Sequence, residues 1–198
     1  MISEDAPLER ARDEIEIKLP SGDLDAVREK LRSLDAAAVT PVHLEINDLY
    51  DGADGRFAKS GSTLRLRRAR GEAILTYKGP ARFEGGVKKR EERETRVSDA
   101  DQTEAILQGI GFTRKFRYEK RREEWRLREC LIALDETPIG RFIEIEGDPP
   151  QIRLAVVALG LDFASAIPYS YARLYALKRK ERPELPEDMV FEDVKRQT

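Results

Sequence analysis

The residues with the clearest chemical potential stand near the N-terminus, where charged side chains alternate with aliphatic ones. The run reads Glu14-Ile15-Glu16-Ile17-Lys18. In a β-strand the side chains at i, i+2 and i+4 share one face, so Glu14, Glu16 and Lys18 project together and the isoleucines face the other side. Paired carboxylates hold hard divalent cations, and an ammonium group binds phosphate oxygens. This face therefore carries the side-chain types that a metal ion together with an anion would require.

Other segments repeat this arrangement of charged side chains at every second position. They contain Arg65 with Arg67, Thr76 with Lys78, Arg90 with Glu92 and Glu94, Lys120 with Arg122, and Glu144 with Glu146, while Asp135 ends a further apolar run. One such strand alone is normally the wetted face of a half-buried sheet. The repetition favours a curled sheet whose charged faces share one interior. Enclosed charges need a neutralising ligand, and a polyphosphate with Mg²⁺ or Mn²⁺ supplies both signs.

The elements that must position these faces are mostly strands. Alternation with period two predicts them at 12–19, 43–50, 63–69, 72–78, 88–97, 114–127, 129–135 and 141–147. Helical spacing of apolar residues predicts helices at 23–36, 100–109, 151–160 and about 170–178. Residues 52–61 and Gly85-Gly86 are predicted as loops. The combination predicts an α+β fold, an antiparallel barrel or strongly curled sheet with peripheral helices.

The length of 198 residues fits one domain with small appendages. Residues 1–11 are predicted as a polar N-terminal tail, 12–178 as the folded domain and 179–198 as a charged C-terminal tail. Whether the last segment is mobile or caps the domain is left open by its composition.

Composition argues against several classes of protein. The 36 basic and 38 acidic residues nearly cancel, so a general polyanion binder is disfavoured and nucleic acid is not expected as a partner. No stretch approaches the roughly 20 apolar residues of a membrane helix, and the first twelve residues do not resemble a signal peptide. We therefore expect a cytoplasmic protein with no membrane partner.

Cys130 is the only cysteine, which excludes an internal disulfide and a cysteine-based zinc cluster.

Ordered motifs along the chain resemble the CYTH, or triphosphate tunnel metalloenzyme, superfamily. The run from Glu14 to Lys18 is similar to the family's N-terminal ExExK signature. Further blocks follow in the family's order at 47–51, 61–67, 75–80, 90–94, 120–122, 134–147 and 170–171. Together they cover roughly residues 12–178, and the branch they resemble includes class IV adenylyl cyclases and thiamine triphosphatases.

This resemblance implies an eight-stranded antiparallel β-barrel tunnel that acts on triphosphates with Mg²⁺ or Mn²⁺. It implies metal ligands at Glu14, Glu16, Glu92, Glu94, Asp135, Glu144 and Glu146. It implies triphosphate binding by Lys18, Arg65, Arg67, Lys78, Arg90, Lys120 and Arg122. Glu14, Glu16 and Lys18 would take part in catalysis. In the basic strand, Lys115 and Arg117 form a competing alternate pair.

Three functions stay open at this point. With water as the nucleophile, the protein would hydrolyse inorganic triphosphate, a nucleoside triphosphate or thiamine triphosphate. With a ribose hydroxyl, it would convert ATP to cyclic AMP and pyrophosphate, as the resemblance of 76–80 to class IV adenylyl cyclases implies. The histidine-phenylalanine pair associated with those cyclases is absent before the first strand, where residues 9–13 read Glu-Arg-Ala-Arg-Asp, so hydrolysis is favoured. A noncatalytic polyphosphate- or nucleotide-binding module is the third reading, and a homodimer is left open.

Overall fold

The alternating segments form long strands in the structure, a computed structural model that describes residues 12–192. The strands are β1 (Arg12–Ser21), β2 (Ala37–Gly52), β3 (Thr63–Ala69), β4 (Glu72–Lys78), β5 (Arg82–Glu84), β6 (Val87–Val97), β7 (Phe112–Leu127), β8 (Cys130–Thr137) and β9 (Gly140–Glu146). The helices are α1 (Leu24–Ser33), α2 (Arg56–Ser60), α3 (Ala100–Gly109), α4 (Pro149–Ala158) and α5 (Tyr171–Glu181), with a 3₁₀ turn at Phe163–Ser165.

Eight of these strands close into an antiparallel barrel. Their order is β1-β9-β8-β7-β2-β3-β4-β6, and the pairing of β6 with β1 completes the ring. β1 pairs with one side of β6. The short strand β5 pairs with the other side of β6, next to β4. Closure removes unpaired strand edges from the ring. The predicted α+β fold with an eight-stranded antiparallel β-barrel is confirmed.

The apolar face of the strands points outward, beneath the helices. Ile17, Ile143 and Ile145 form one buried cluster with Leu31 of α1 and Ile152 of α4. Burying each such side chain contributes about 1.5–3 kcal/mol. Because side chains alternate along a strand, this outer apolar core turns the charged positions toward the barrel interior.

The structure differs from the predicted elements where pairing with a partner strand overrides the local pattern. β2 begins at Ala37 rather than 43, because it pairs along nearly its whole length with β7 and passes Pro41 through bulges. The predicted loop at 52–61 contains α2, whose backbone N–H groups at Phe57 and Ala58 donate to the Asp51 carboxylate. β5 lies just before the predicted Gly85-Gly86 loop, at residues for which the pattern predicts no strand.

The C-terminal chain after α5 packs against β7. The Met189 side chain is fully buried, and its backbone N–H donates to the Arg117 carbonyl at 2.9 Å. In return, the backbone N–H of Glu119 donates to the Met189 carbonyl at 2.8 Å. The predicted boundary at residue 178 thus falls inside α5, and the chain as far as Glu192 covers the barrel. Residues 1–11 and 193–198 of the predicted tails lie outside the described residues.

Between Arg12 and Glu192, no helix has the length and apolar character needed to span a membrane.

We expect the contact between this C-terminal segment and the barrel to contribute to stability. Met189→Ala should lower the free energy of unfolding by about 2–5 kcal/mol, because it removes a fully buried side chain and leaves a cavity. Glu187→Ala, an exposed position in the same segment, should change it by less than about 0.5 kcal/mol. Urea denaturation measures both values, and equal effects would contradict the docking.

Candidate functional site

The barrel encloses a cavity of about 640 Å³ lined mainly by charged side chains. Every predicted site residue except Asp135 lies on its wall. The cationic ones are Lys18, Arg65, Arg67, Lys78, Arg90, Lys120 and Arg122, and the acidic ones are Glu14, Glu16, Glu92, Glu94, Glu144 and Glu146. The chain therefore brings together charges of both signs from β1, β3, β4, β6, β7 and β9.

One side of the cavity gathers carboxylates. On adjacent strands, Glu16 of β1 stands directly opposite Glu146 of β9. Lys78 bridges Glu14 and Glu92, with its Nζ 2.5 Å and 3.2 Å from their Oε1 atoms. Glu146 has no ion-pair partner among residues 12–192. Partial burial and the charges of Glu14, Glu16 and Glu92 raise the pKa of Glu146 to about 7.

Glu144, two residues before Glu146, lies among cations instead. Its Oε1 is 3.2 Å from Lys18 Nζ, its Oε2 is 3.9 Å from Lys120 Nζ, and Arg122 also donates to it. Burial alone would raise the pKa of Glu144, but these three cations hold it well below its usual range. The two predicted metal ligands on β9 thus lie in opposite electrostatic environments.

Asp135 lies behind the cavity wall and is fully buried. Its carboxylate accepts hydrogen bonds from Arg122 Nε and Nη2 at 2.7 Å and 2.6 Å and from Lys120 Nζ at 3.1 Å. The hydroxyl of Tyr171 donates to the same carboxylate at 2.7 Å. The resemblance implied a metal ligand here, but these bonds occupy both carboxylate oxygens. We therefore expect Asp135 to fix Lys120 and Arg122 in place.

Several buried polar atoms of the cavity residues have no hydrogen-bond partner within the described part of the chain. They include Nε of Arg65, Nε and Nη2 of Arg90, and Oε2 of Glu14. Burial lowers the pKa of Arg90, although the nearby Glu14 and Glu16 oppose that effect. Leaving a buried donor unsatisfied costs about 1–3 kcal/mol, so the N–H groups of the two arginines are suited to an acceptor in the cavity.

The CYTH domain family model matches residues 12–157 of the sequence. The chain belongs to the CYTH family. It is 30% identical over 135 residues to "Putative adenylate cyclase MJ0240" of Methanocaldococcus jannaschii, a match that covers 67% of this chain and 75% of that protein.

Solved structures share the CYTH fold. The PH1819 protein of Pyrococcus horikoshii OT3 is 30% identical, with a TM-score of 0.69 and coverage of 84% of this chain and 99% of that one. HpAC1 from Hippeastrum, named a "putative adenylyl cyclase" that "reveals a dominant" triphosphatase activity, is 22% identical, with a TM-score of 0.61 and coverage of 89% and 99%. At 22% identity, the similarity to HpAC1 shows a shared fold and nothing about activity.

The CYTH barrel also contains charged residues that the sequence prediction omitted. Glu45 of β2 is buried between Arg67, at 3.2 Å, and Lys120, at 3.5 Å. Lys88 of β6 contacts Glu16 at 2.5 Å. Both positions follow the period-two pattern by which the other site residues were predicted. Glu45 lies between Leu44 and Ile46, and Lys88 lies two residues before Arg90.

In β7, side-chain direction distinguishes the predicted pair Lys120 and Arg122 from the alternative pair that contains Arg117. Arg117 bonds Asp48, with its Nε 2.7 Å from Oδ1, whereas Lys120 and Arg122 reach the cavity. The ammonium group of Lys120 also lies 5.3 Å from the centre of the Tyr171 ring, and that of Lys18 lies 3.8 Å from it. Tyr171 therefore supports the basic side of the cavity from α5.

The acidic side of the cavity fits a hard divalent cation. Among the described residues, no three His, Cys, Asp or Glu side chains form a ready-made metal site. Mg²⁺, however, usually binds one or two carboxylates and completes its shell with phosphate oxygens and water. Glu14, Glu16 and Glu146 supply such oxygen donors, and one oxygen of Glu14 is buried with no hydrogen-bond partner among residues 12–192. This donor set fits Mg²⁺ or Mn²⁺ that binds together with phosphate.

We expect the charge of Asp135 to be necessary for the basic wall. Asp135→Asn should lower the free energy of unfolding by about 3 kcal/mol, because Lys120 and Arg122 lose a shared buried anion. The matched control is Glu136→Gln at the next residue, whose half-exposed carboxylate lies 3.6 Å from Arg121. This change should lower the free energy of unfolding by about 1 kcal/mol or less. Chemical denaturation compares the two, and a similar small loss in both would contradict the assigned role.

Proposed function

We propose that the protein is a metal-dependent triphosphatase that binds a triphosphate in the barrel cavity and hydrolyses it. The observation that carries the proposal is the presence of unpartnered buried N–H groups on Arg65 and Arg90 in a cavity that also gathers Glu14, Glu16 and Glu146. Anion capture alone needs only a basic wall. A wall of both signs suits phosphates accompanied by a divalent cation, which disfavours a noncatalytic binding module.

The basic side chains hold the phosphate oxygens in this proposal. They are Lys18, Arg65, Arg67, Lys78, Arg90, Lys120 and Arg122. Arginine can bond two phosphate oxygens at once, so Arg65 and Arg90 also orient the chain of phosphates. Asp135 acts through Lys120 and Arg122, which it fixes before the substrate enters.

The acidic side chains face the cation. Glu14, Glu16, Glu92 and Glu146 would hold Mg²⁺ or Mn²⁺, with Glu94 at the more exposed edge of the group. When bound, the metal would supply positive charge to neutralise phosphate oxygens and a position for the attacking water. Glu144, which the sequence placed among the ligands, instead balances Lys18, Lys120 and Arg122.

The reaction exchanges one bond to phosphorus for another. A water oxygen bonds to the terminal phosphorus while the bond from that phosphorus to the bridging oxygen breaks, which yields orthophosphate and a shortened phosphate chain. Negative charge increases on the leaving oxygen during this step, and cations fixed in the wall stabilise it without reorganising.

Cyclisation of ATP by a class IV adenylyl cyclase activity is the second candidate. It is favoured by the name of the Methanocaldococcus jannaschii relative. The missing histidine-phenylalanine pair at residues 9–13 supports hydrolysis.

A substrate panel tests the reaction type. With Mg²⁺ or Mn²⁺, we expect orthophosphate release from at least one of tripolyphosphate, ATP and thiamine triphosphate, and loss of that activity in EDTA. Orthophosphate, pyrophosphate and cyclic AMP are assayed separately. Cyclic AMP formed from ATP faster than orthophosphate is released would overturn the proposal in favour of the cyclase.

Two carboxylate variants test the site. Glu16→Gln and Glu146→Gln should each lower kcat by about 100-fold or more, because they remove oxygen ligands for the cation while preserving shape. Glu91→Gln is the matched control on the outer face of β6, where Glu91 accepts from Arg93, and its kcat should stay within about twofold. Circular dichroism checks that all three fold. Near-wild-type activity in both cavity variants would exclude the assigned metal site.

A further inference from the structure

His43, the only histidine of the chain, lies on the inner face of β2. Side chains two residues apart share a face of a strand, so His43 and Glu45 project together. Strand pairing places His43 opposite Arg122 of β7 and Glu45 opposite Lys120, and both of these cations reach the cavity. The histidine therefore belongs to the basic side of the barrel interior.

The Glu45 carboxylate is shared by cations from two neighbouring strands. Its Oε1 lies 3.2 Å from Nη1 of Arg67, and Nε2 of His43 lies 3.7 Å from the same oxygen. Its Oε2 lies 3.5 Å from Nζ of Lys120. Burial alone would raise the pKa of Glu45, but Lys120 and the other cations hold it well below its usual range. The carboxylate therefore stays ionised, and its neighbours compete for one negative charge.

The other ring nitrogen of His43 decides which protonation state suits this position. Nδ1 lies 2.9 Å from the carbonyl oxygen of Pro41, which can only accept, so Nδ1 carries a hydrogen. In a neutral ring Nε2 then has a lone pair beside the negative Oε1 of Glu45, whereas the imidazolium presents an N–H there. The Glu45 carboxylate raises the pKa of His43, partial burial opposes the increase, and the Pro41 carbonyl and the charge of Glu124 add to it.

The charged groups around this pair leave Glu45 as its nearest partner. They are Glu45 of β2, Arg67 of β3, and Lys120, Arg122 and Glu124 of β7. The cations among them have further anions of their own: Asp135 is paired with Lys120 and Arg122, and Glu94 lies 3.7 Å from Arg67. A positive charge on His43 therefore acts mainly through the carboxylate that it contacts.

We propose that His43 is a positioning residue for the triphosphate, and that its imidazolium form shares the Glu45 carboxylate with Arg67 and Lys120, so that both cations keep charge available for phosphate. The inference rests on the proposed function, in which Arg67 and Lys120 bind phosphate oxygens. His43 and Arg67 approach the same oxygen of Glu45, so a protonated ring weakens the hold of that oxygen on Arg67. A neutral ring leaves Glu45 to the two permanent cations, and phosphate then competes with a stronger partner.

The direction of the pH dependence follows from the raised pKa of His43. The imidazolium persists above pH values of about 6.5, the ordinary pKa of histidine. Its contribution to binding is complete at low pH and is lost as the pH rises through the pKa of His43 in the folded protein. We expect KM for tripolyphosphate to rise about fivefold through this effect. His43 touches no reacting atom in this account, so kcat should not depend on its charge.

Three variants assayed across this pH range test the inference. His43→Gln is neutral throughout, so its KM should be about fivefold above the wild type at low pH and equal to it at high pH. His43→Lys keeps a positive charge and should retain the low KM at every pH. Val42→Gln, at the exposed neighbouring position, is the matched control and should follow the wild type. Glu146 and tripolyphosphate titrate in every variant, so the differences between variants isolate His43.

Proton NMR supplies an independent measurement, because the Hε1 signal of a single histidine reports its pKa directly in tag-free protein. We expect a value above about 6.5, and a value at or below it would overturn the inference. The same KM profile in His43→Gln and the wild type, or a change in kcat instead of KM, would also overturn it and leave the proposed function intact.

The proposed function fails separately, if the wild type hydrolyses no triphosphate of the substrate panel. Calorimetric titration with tripolyphosphate and Mg²⁺ then replaces the kinetic assay. The inference requires the dissociation constants of the wild type, His43→Gln and His43→Lys to differ in the way described for KM. Equal dissociation constants at low pH, or no binding of tripolyphosphate, would overturn it.

Discussion

The enclosure of many charges in one barrel is the constraint on which the rest of the structure depends. Charged groups removed from water are stable only when they are paired, hydrogen-bonded or neutralised by a ligand. Cross-strand pairs such as Lys78–Glu14 and Lys88–Glu16 meet part of this need, and Arg90 is left with unpartnered donors. The outer apolar core stabilises this arrangement, because packing beneath α1 and α4 holds the ring closed. In the proposed function, a ligand of matching charge would satisfy the groups that residues 12–192 leave unpaired.

The two carboxylates at the end of β9 show how the same side chain acquires different properties from its surroundings. Glu144 lies among Lys18, Lys120 and Arg122, so it stays ionised and balances the basic wall. Glu146 lies among other carboxylates, and burial together with their negative charge raises its pKa. A divalent cation relieves that excess, whereas protonation of Glu146 relieves it only in part. The cavity is therefore divided into a basic side and an acidic side.

Alternation along single strands predicted an antiparallel barrel or curled sheet and most of its inward-facing charges, and the family resemblance added the eight-stranded ring. It worked because period two decides which face a residue occupies, and the apolar outer face leaves little freedom of register. Alternation could not predict that Asp135 lies behind the cavity wall, because its hydrogen bond comes from Tyr171, 36 residues later in the chain. β5 was missed because three residues are too few to show a period.

The most direct measurement of the central claim is a crystal structure of the protein grown with Mn²⁺ and tripolyphosphate, with anomalous diffraction used to locate the metal. We expect the phosphates within hydrogen-bonding distance of Arg65 and Arg90. We expect the manganese peak between the phosphate oxygens and the carboxylates of Glu14, Glu16 and Glu146. Tripolyphosphate bound outside the barrel, or a cavity that binds phosphate with no manganese on its acidic side, would contradict the account.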